Sequence, residues 1–179
     1  MKFTKDNLPE NSKAFKIYDW NKIKNIKSRS FGDNKNDYDK IVHTGWRMIK
    51  TCIEKGGIGL AGPQVGIFKK IILCQEIDPE SKQIKFKPEY TLIINPSFEA
   101  KDKAKTVELE YCLSVPGRGF EIERYNNIIL TYYDILTDGT LQKVNVEKKD
   151  FASRILQHEI DHLNGTSIPQ RWEYQNRKK

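Results

Sequence analysis

The order of patterns along the 179 residues predicts a single α+β domain, with mainly antiparallel sheets packed around a central helix near the C-terminal end and a second helix on the N-terminal side. Three observations predict it: a long amphipathic segment over 36–55, short apolar runs with hairpin punctuation over 71–146, and a second helical stripe over 150–165. No internal repeat or domain-separating linker interrupts the chain, and its length suits one core rather than two.

Residues 1–35 are polar and weakly patterned, and are expected to form an extended arm hugging the surface. The first strong helix follows from Asn36, its cap, to Lys55. Tyr38, Ile41, Val42, Trp46, Ile49, Cys52 and Ile53 share one stripe, and Gly56-Gly57 ends the helix. Gly57-Ile58-Gly59-Leu60-Ala61-Gly62-Pro63-Gln64 has too much glycine for a regular helix and too little polarity for a solvated loop. Ile71-Ile72-Leu73 and Leu92-Ile93-Ile94 read as buried strands, the second stopped by Asn95-Pro96, with an exposed connection over 78–88 between them. Residues 128–133 and 141–146 flank Asp138-Gly139, a hairpin signal. The last helix runs from Asp150, read as its N-cap, to Gly165, and leaves a short tail over 166–179.

Composition narrows the classes. No apolar run reaches the ~18–20 residues of a membrane helix, and the charged opening has no secretory h-region. Cys52, Cys74 and Cys112 are an odd, irregularly spaced set, which argues against a disulfide framework and for a reducing, cytoplasmic setting. Cys52 and Cys74 lie in apolar patterns and read as core. The net charge of +7 is spread over scattered lysines, so no specific nucleic-acid site is expected and at most a weak ribosome contact.

The chemistry concentrates in His158-Glu159-Ile160-Asp161-His162. Helical residues four apart stack on one face, so both imidazoles reach one metal ion, while Glu159 lies beside it as a candidate proton acceptor. Phe151, Ile155, His158 and His162 share an inward stripe, so the histidines are expected to be buried, where a shared metal satisfies them. A third ligand is needed. The metzincin position is Ile168, and the thermolysin-like alternative, Glu173, lies in too short a remainder. Cys112, in Glu110-Tyr111-Cys112-Leu113-Ser114, supplies a thiolate where a strand gives way to a turn, and three ligands leave a position open for water.

Three segments in this order resemble the signature motifs of the peptide deformylase family: G-x-G-L-A-A-P-Q at 57–64, E-G-C-L-S at 110–114 and H-E-x-D-H at 158–162. The resemblance spans about residues 38–168. It implies one divalent metal on Cys112, His158 and His162, natively Fe(II), with Zn, Ni or Co able to replace it. It also implies Glu159 as general base and then acid, and Gln64 with the Leu113 backbone N–H as oxyanion donors. Ile58 and Gly59 would line the peptide channel, and Arg124 would pair with Glu110 to brace the cysteine loop. The implied reaction removes the formyl group from N-formylmethionyl nascent peptides and releases formate, in a chain expected to act as a monomer.

Two departures stand out. Gly62 replaces the motif alanine, a sterically mild change, whereas Tyr111 replaces a glycine and is expected to shape substrate selection at the channel. Two alternatives carry other outcomes: a metal endopeptidase would cut internal bonds in unformylated peptides, and a noncatalytic binding module would release no formate.

Overall fold

The computed structural model describes residues 2–32, 38–76, 89–136 and 138–177. Among the described residues, eight strands and four α-helices occur in the order β1 (Lys2–Thr4), α1 (Trp20–Ile23), α2 (Tyr38–Lys55), β2 (Gly59–Ala61), β3 (Ile71–Gln75), β4 (Glu89–Ala100), β5 (Lys105–Cys112), β6 (Val115–Tyr125), β7 (Asn127–Ile135), β8 (Leu141–Lys149), α3 (Asp150–Leu163) and α4 (Ile168–Asn176). β2-β3-β4-β7-β8 form one sheet, which β1 joins beside β4, and β5-β6 form a separate hairpin. All of these pairings are antiparallel.

Alternation along β3 shows how the core divides. Ile71 and Leu73 pack with Ile49 and Cys52 of α2, while Ile72 and Cys74 pack with Ile155, Leu156 and Ile160 of α3. The sheet therefore separates two helices, and β3 has no exposed residue. Eleven consecutive residues of α3, Ser153 to Leu163, are buried, so this helix is enclosed rather than half-exposed.

Several expectations change. The strand through Leu92–Ile94 does not stop at Asn95-Pro96 but continues to Ala100 through a bulge. Asn95 takes a left-handed φ of 49° and its side chain bonds both backbone groups of Phe31. The β1 ladder has already ended at Thr91 and the β3 ladder ends at Ile94, where β4 first pairs with β7; the bulge with its proline then resets the register before β4 runs on beside β7 from Ser97. The N-terminal arm is not merely a surface layer, because Phe3, Trp20 and Ile23 are buried. The short tail contains α4, which opens on a Ser167 capping box and packs on β6. Lys149 rather than Asp150 is the N-cap of α3, and Asp150 begins the helix with its N–H bonded to Asn126 O. The Asn36 cap and the 78–88 connection lie outside the described residues.

Candidate active site

Cys112 ends β5, and His158 and His162 lie one turn apart on α3. One ligand atom from each falls within 4.8 Å of the others, and all three residues are buried. Cys112 Sγ is 3.3 Å from His162 Nε2. The outer nitrogens are already engaged: His158 Nδ1 donates to Glu110 Oε2 at 2.8 Å, and His162 Nδ1 to Thr166 O at 3.2 Å. Each bond fixes its ring with Nε2 toward the shared centre, the arrangement that metal-binding histidines need.

Electrostatics agree with a cation there. Burial works against a charged His158, yet hydrogen bonds to Cys112 and Glu110 and the nearby Glu159 charge outweigh it and raise its pKa to about 10. Burial, reinforced by the His158 charge, holds His162 well below the usual histidine range. One positive charge is thus favoured and a second refused. A divalent ion with a thiolate ligand meets that preference without either proton.

Glu159 stands beside the ligands. Burial raises its pKa to about 7, with Glu110 contributing and His158 opposing. Its Oε2 is buried without a hydrogen-bond partner. A Cβ at Gly59 would lie 2.5 Å from Glu159 Oε1, so only glycine lets β2 approach this carboxylate. Gln64 follows in the helical turn over 62–65. Its Oε1 accepts from Ala61 N at 2.8 Å, which turns Nε2 toward Cys112 Sγ at 3.6 Å and Ser114 Oγ at 3.4 Å. Leu113 occupies the two-residue turn between β5 and β6.

These groups open on a cavity of about 450 Å³ lined by Ile58, Gly59, Gln64, Tyr111, Phe151, Ile155 and Glu159, among others. Tyr111 is one of the residues that line this cavity. Its neighbours Glu110 and Cys112 are buried, whereas Tyr111 is 68% exposed. Glu110 and Arg124 are brought together, with Arg124 Nε and Nη2 each 3.0 Å from the Glu110 carboxylate.

Sequence reasoning missed much of the surrounding network. Arg154 donates to Glu110 Oε1 at 2.8 Å and to the carbonyls of Ile122 and Thr106, each at 2.9 Å. Its place four residues before His158, on the same helix face, was the available signal. Arg124 and Arg171 both bond Asp161, so α4 is tied to the helix that carries the ligands. Trp20 packs its ring 4.7 Å from that of His162, and its Nε1 donates to Gln170 Oε1 at 2.9 Å. Nothing in the pattern of residues 1–35 announced this contact.

Residues 20–178 match the family described as polypeptide deformylase. The chain belongs to the peptide deformylase family. A peptide deformylase of Finegoldia magna is 34% identical over 127 residues, 71% of each chain. One from Campylobacter jejuni is 35% identical over 145 residues, covering 80% of this chain and 79% of that one. A Met-Ala-Ser-bound class I type b peptide deformylase from Acinetobacter baumannii superposes with a TM-score of 0.74 at 26% identity, covering 88% of this chain and 99% of that one. The activity is metal-dependent peptide deformylation, with a Cys/His/His site for one divalent metal and formylated peptides as substrates. Among the described residues no helix is long and apolar enough to cross a membrane.

Proposed function

We propose that the chain hydrolyses the formyl group of N-terminal formylmethionine on nascent polypeptides, with Glu159 as the proton carrier. The observation that carries this reading is the placement of Glu159: buried, with one oxygen unpartnered, beside the ligand histidines and on the wall of the cavity. An acid near pKa 7 can both take and return a proton at physiological pH.

The metal is held by Cys112, His158 and His162, natively as Fe(II), with Zn, Ni or Co able to replace it. When bound, a divalent cation supplies Lewis acidity and brings the pKa of water toward neutrality. Ile58, Phe151 and Ile155 receive the methionine side chain, an unbranched and adaptable group. Gly59 allows the peptide backbone close approach. Glu159 accepts the proton of the water that adds to the formyl carbon. Gln64 Nε2 and the Leu113 N–H donate to the oxygen that becomes an oxyanion, where fixed donors act most strongly. Glu159 then returns the proton to the amine nitrogen, the C–N bond breaks, and formate leaves with a free peptide amino terminus. Glu110 and Arg124 keep His158 and the cysteine strand in position throughout.

Three unpaired thiols, one of them a metal ligand, fit a reducing cytoplasm in which newly made chains emerge from ribosomes. A monomer with at most weak ribosome association serves that role.

The test is formate release from formyl-Met-Ala-Ser by anaerobically prepared, iron-loaded protein beside a Cys112→Ala control. Turnover that disappears in the control supports the reading. A well-folded, metal-loaded protein that releases no formate overturns it.

A further inference from the structure

We infer that the outward face of β5 is a preformed apolar platform that receives the second and fourth side chains of the substrate peptide. The inference rests on the deformylase reading and specifies which peptides the site prefers.

The pattern of β5 is inverted. Its buried positions near the site are Glu110 and Cys112, while Val107, Leu109 and Tyr111 are 55%, 55% and 68% exposed. Three large apolar side chains in register on one exposed strand face bring no benefit to folding and invite association. Gly119 of β6 shows that two of them are seated. A Cβ there would lie 2.9 Å from Leu109 Cδ1 and 3.0 Å from Tyr111 Cε1 and Cζ, so both side chains rest directly over this glycine. The platform is organised before anything binds, which lowers the entropic cost of binding.

Continuity with the catalytic cavity identifies the occupant. Leu109 and Tyr111 line the same cavity as His158, Glu159, Phe151 and Ile155. Among the described residues β5 pairs only with β6, so its other edge can accept an extended peptide. Side chains alternate along such a peptide. With the formyl group near Cys112 and the methionine turned inward toward Ile58, Phe151 and Ile155, the second side chain turns outward over Tyr111. The fourth follows about 7 Å further along, at the spacing that separates Tyr111 from Leu109. Glu121, opposite Leu109 in the ladder, adds a carboxylate that disfavours acidic residues there.

The test measures binding, so it reads the platform whether or not turnover occurs. Dissociation constants for Met-Phe-Ser, Met-Ser-Ser and Met-Ser-Phe are determined by calorimetry on the metal-loaded protein and on Tyr111→Gly. Met-Phe-Ser is expected to bind about tenfold tighter than Met-Ser-Ser, the ratio that follows from covering roughly 50 Å² of apolar surface. Met-Ser-Phe should gain little. The ratio should collapse toward one in Tyr111→Gly, and it should fall in Gly119→Val, which wedges the platform off its seat while Tyr111 remains. Equal affinities for Met-Phe-Ser and Met-Ser-Ser, or a preference that survives Tyr111→Gly, would overturn the inference. Formate release from the matching formylated peptides is scored separately. Its absence counts against the deformylase reading, while the affinity ratio still decides the platform.

Discussion

Glu110→Gln is the substitution whose consequences the structure specifies most fully. The carboxylate accepts four hydrogen bonds: Arg124 Nε at 3.0 Å and Arg154 Nη1 at 2.8 Å on one oxygen, Arg124 Nη2 at 3.0 Å and His158 Nδ1 at 2.8 Å on the other. An amide replaces one acceptor with a donor, so at least two of the four bonds are lost. Arg124 and Arg154 also lose a buried counter-charge. Breaking one partner out of a buried ionic network costs about 3–5 kcal/mol. Asp161 still compensates Arg124, so the lower end, about 3 kcal/mol, is expected. The metal site should suffer separately. Without its acceptor His158 is free to rotate, and loss of such a partner typically weakens metal affinity about 10–100-fold. Urea unfolding of the metal-free protein gives the first quantity, and competition with a chelator gives the second. Acid supplies an internal control. Burial alone would raise the Glu110 pKa, but bonds from His158 and Arg124 outweigh it and hold the carboxyl well below the usual range. Its stabilisation is therefore complete above the ordinary carboxylate pKa of about 4.3 and is lost as pH falls toward the depressed folded value. The gap between wild type and variant should be full at pH 7 and shrink in strong acid. A gap under about 1 kcal/mol at pH 7, or chelator competition unchanged from wild type, would refute this account of the network.

Glu159→Ala should abolish formate release, by at least about 100-fold, while elemental analysis still finds one metal per chain. Turnover in that variant, free of contaminating enzyme, would remove the proton-carrier role. The metal-free protein should lose stability as pH rises from about 6.5, the ordinary histidine value, through about 10, because His158 has a raised folded pKa and its contribution is complete only below the unfolded one. Metal-loaded protein should not show this loss in urea titrations. Burial pushes Cys74 up to about 12 and Cys52 higher still, so both thiols should resist alkylation at pH 8 until the protein is unfolded. Peptide mapping that finds either one modified in native protein would contradict the packing. Trp20→Ala should speed metal release to a chelator, and tryptophan emission should change on metal loading of the wild type but much less in the variant.

The helical part of the candidate site was legible in the sequence because helical spacing fixes which residues share a face, and placing His158 and His162 together with Glu159 beside them needed only that rule. The hairpin that carries Cys112 was hard to read for the opposite reason. On β5 the inward residues near the site are Glu110 and Cys112 while Val107, Leu109 and Tyr111 face out, and on β6 Arg124 is buried beside Ile122 and pairs with Glu110. A pattern rule that assigns apolar side chains to the core therefore fails where the interior is an ion-pair network. Gly62 was misread as a mild change. A Cβ there would lie 2.5 Å from Ile67 O, so in this chain the turn before Gln64 closes too tightly for alanine without a backbone shift. That approach is made by chain five residues away and has no signature in composition.

The two chain ends make the same point at the metal site itself. Tyr18 N–H donates to Gln64 O at 2.9 Å and Trp20 N–H to Ser114 O at 3.0 Å, so the N-terminal segment bridges the strand-turn carrying the proposed oxyanion donor and the turn after Cys112. From the other end, Gln170 accepts from Trp20 and Arg171 bonds Asp161, one residue before His162. Both ends were read as peripheral because neither contains a motif, yet they meet across the outer side of a ligand ring. Motif residues define which atoms can bind a metal. The rigidity that holds Nε2 of His162 against Cys112 comes also from segments outside the motifs, which bring a ring, an amide and a guanidinium to that side of the site.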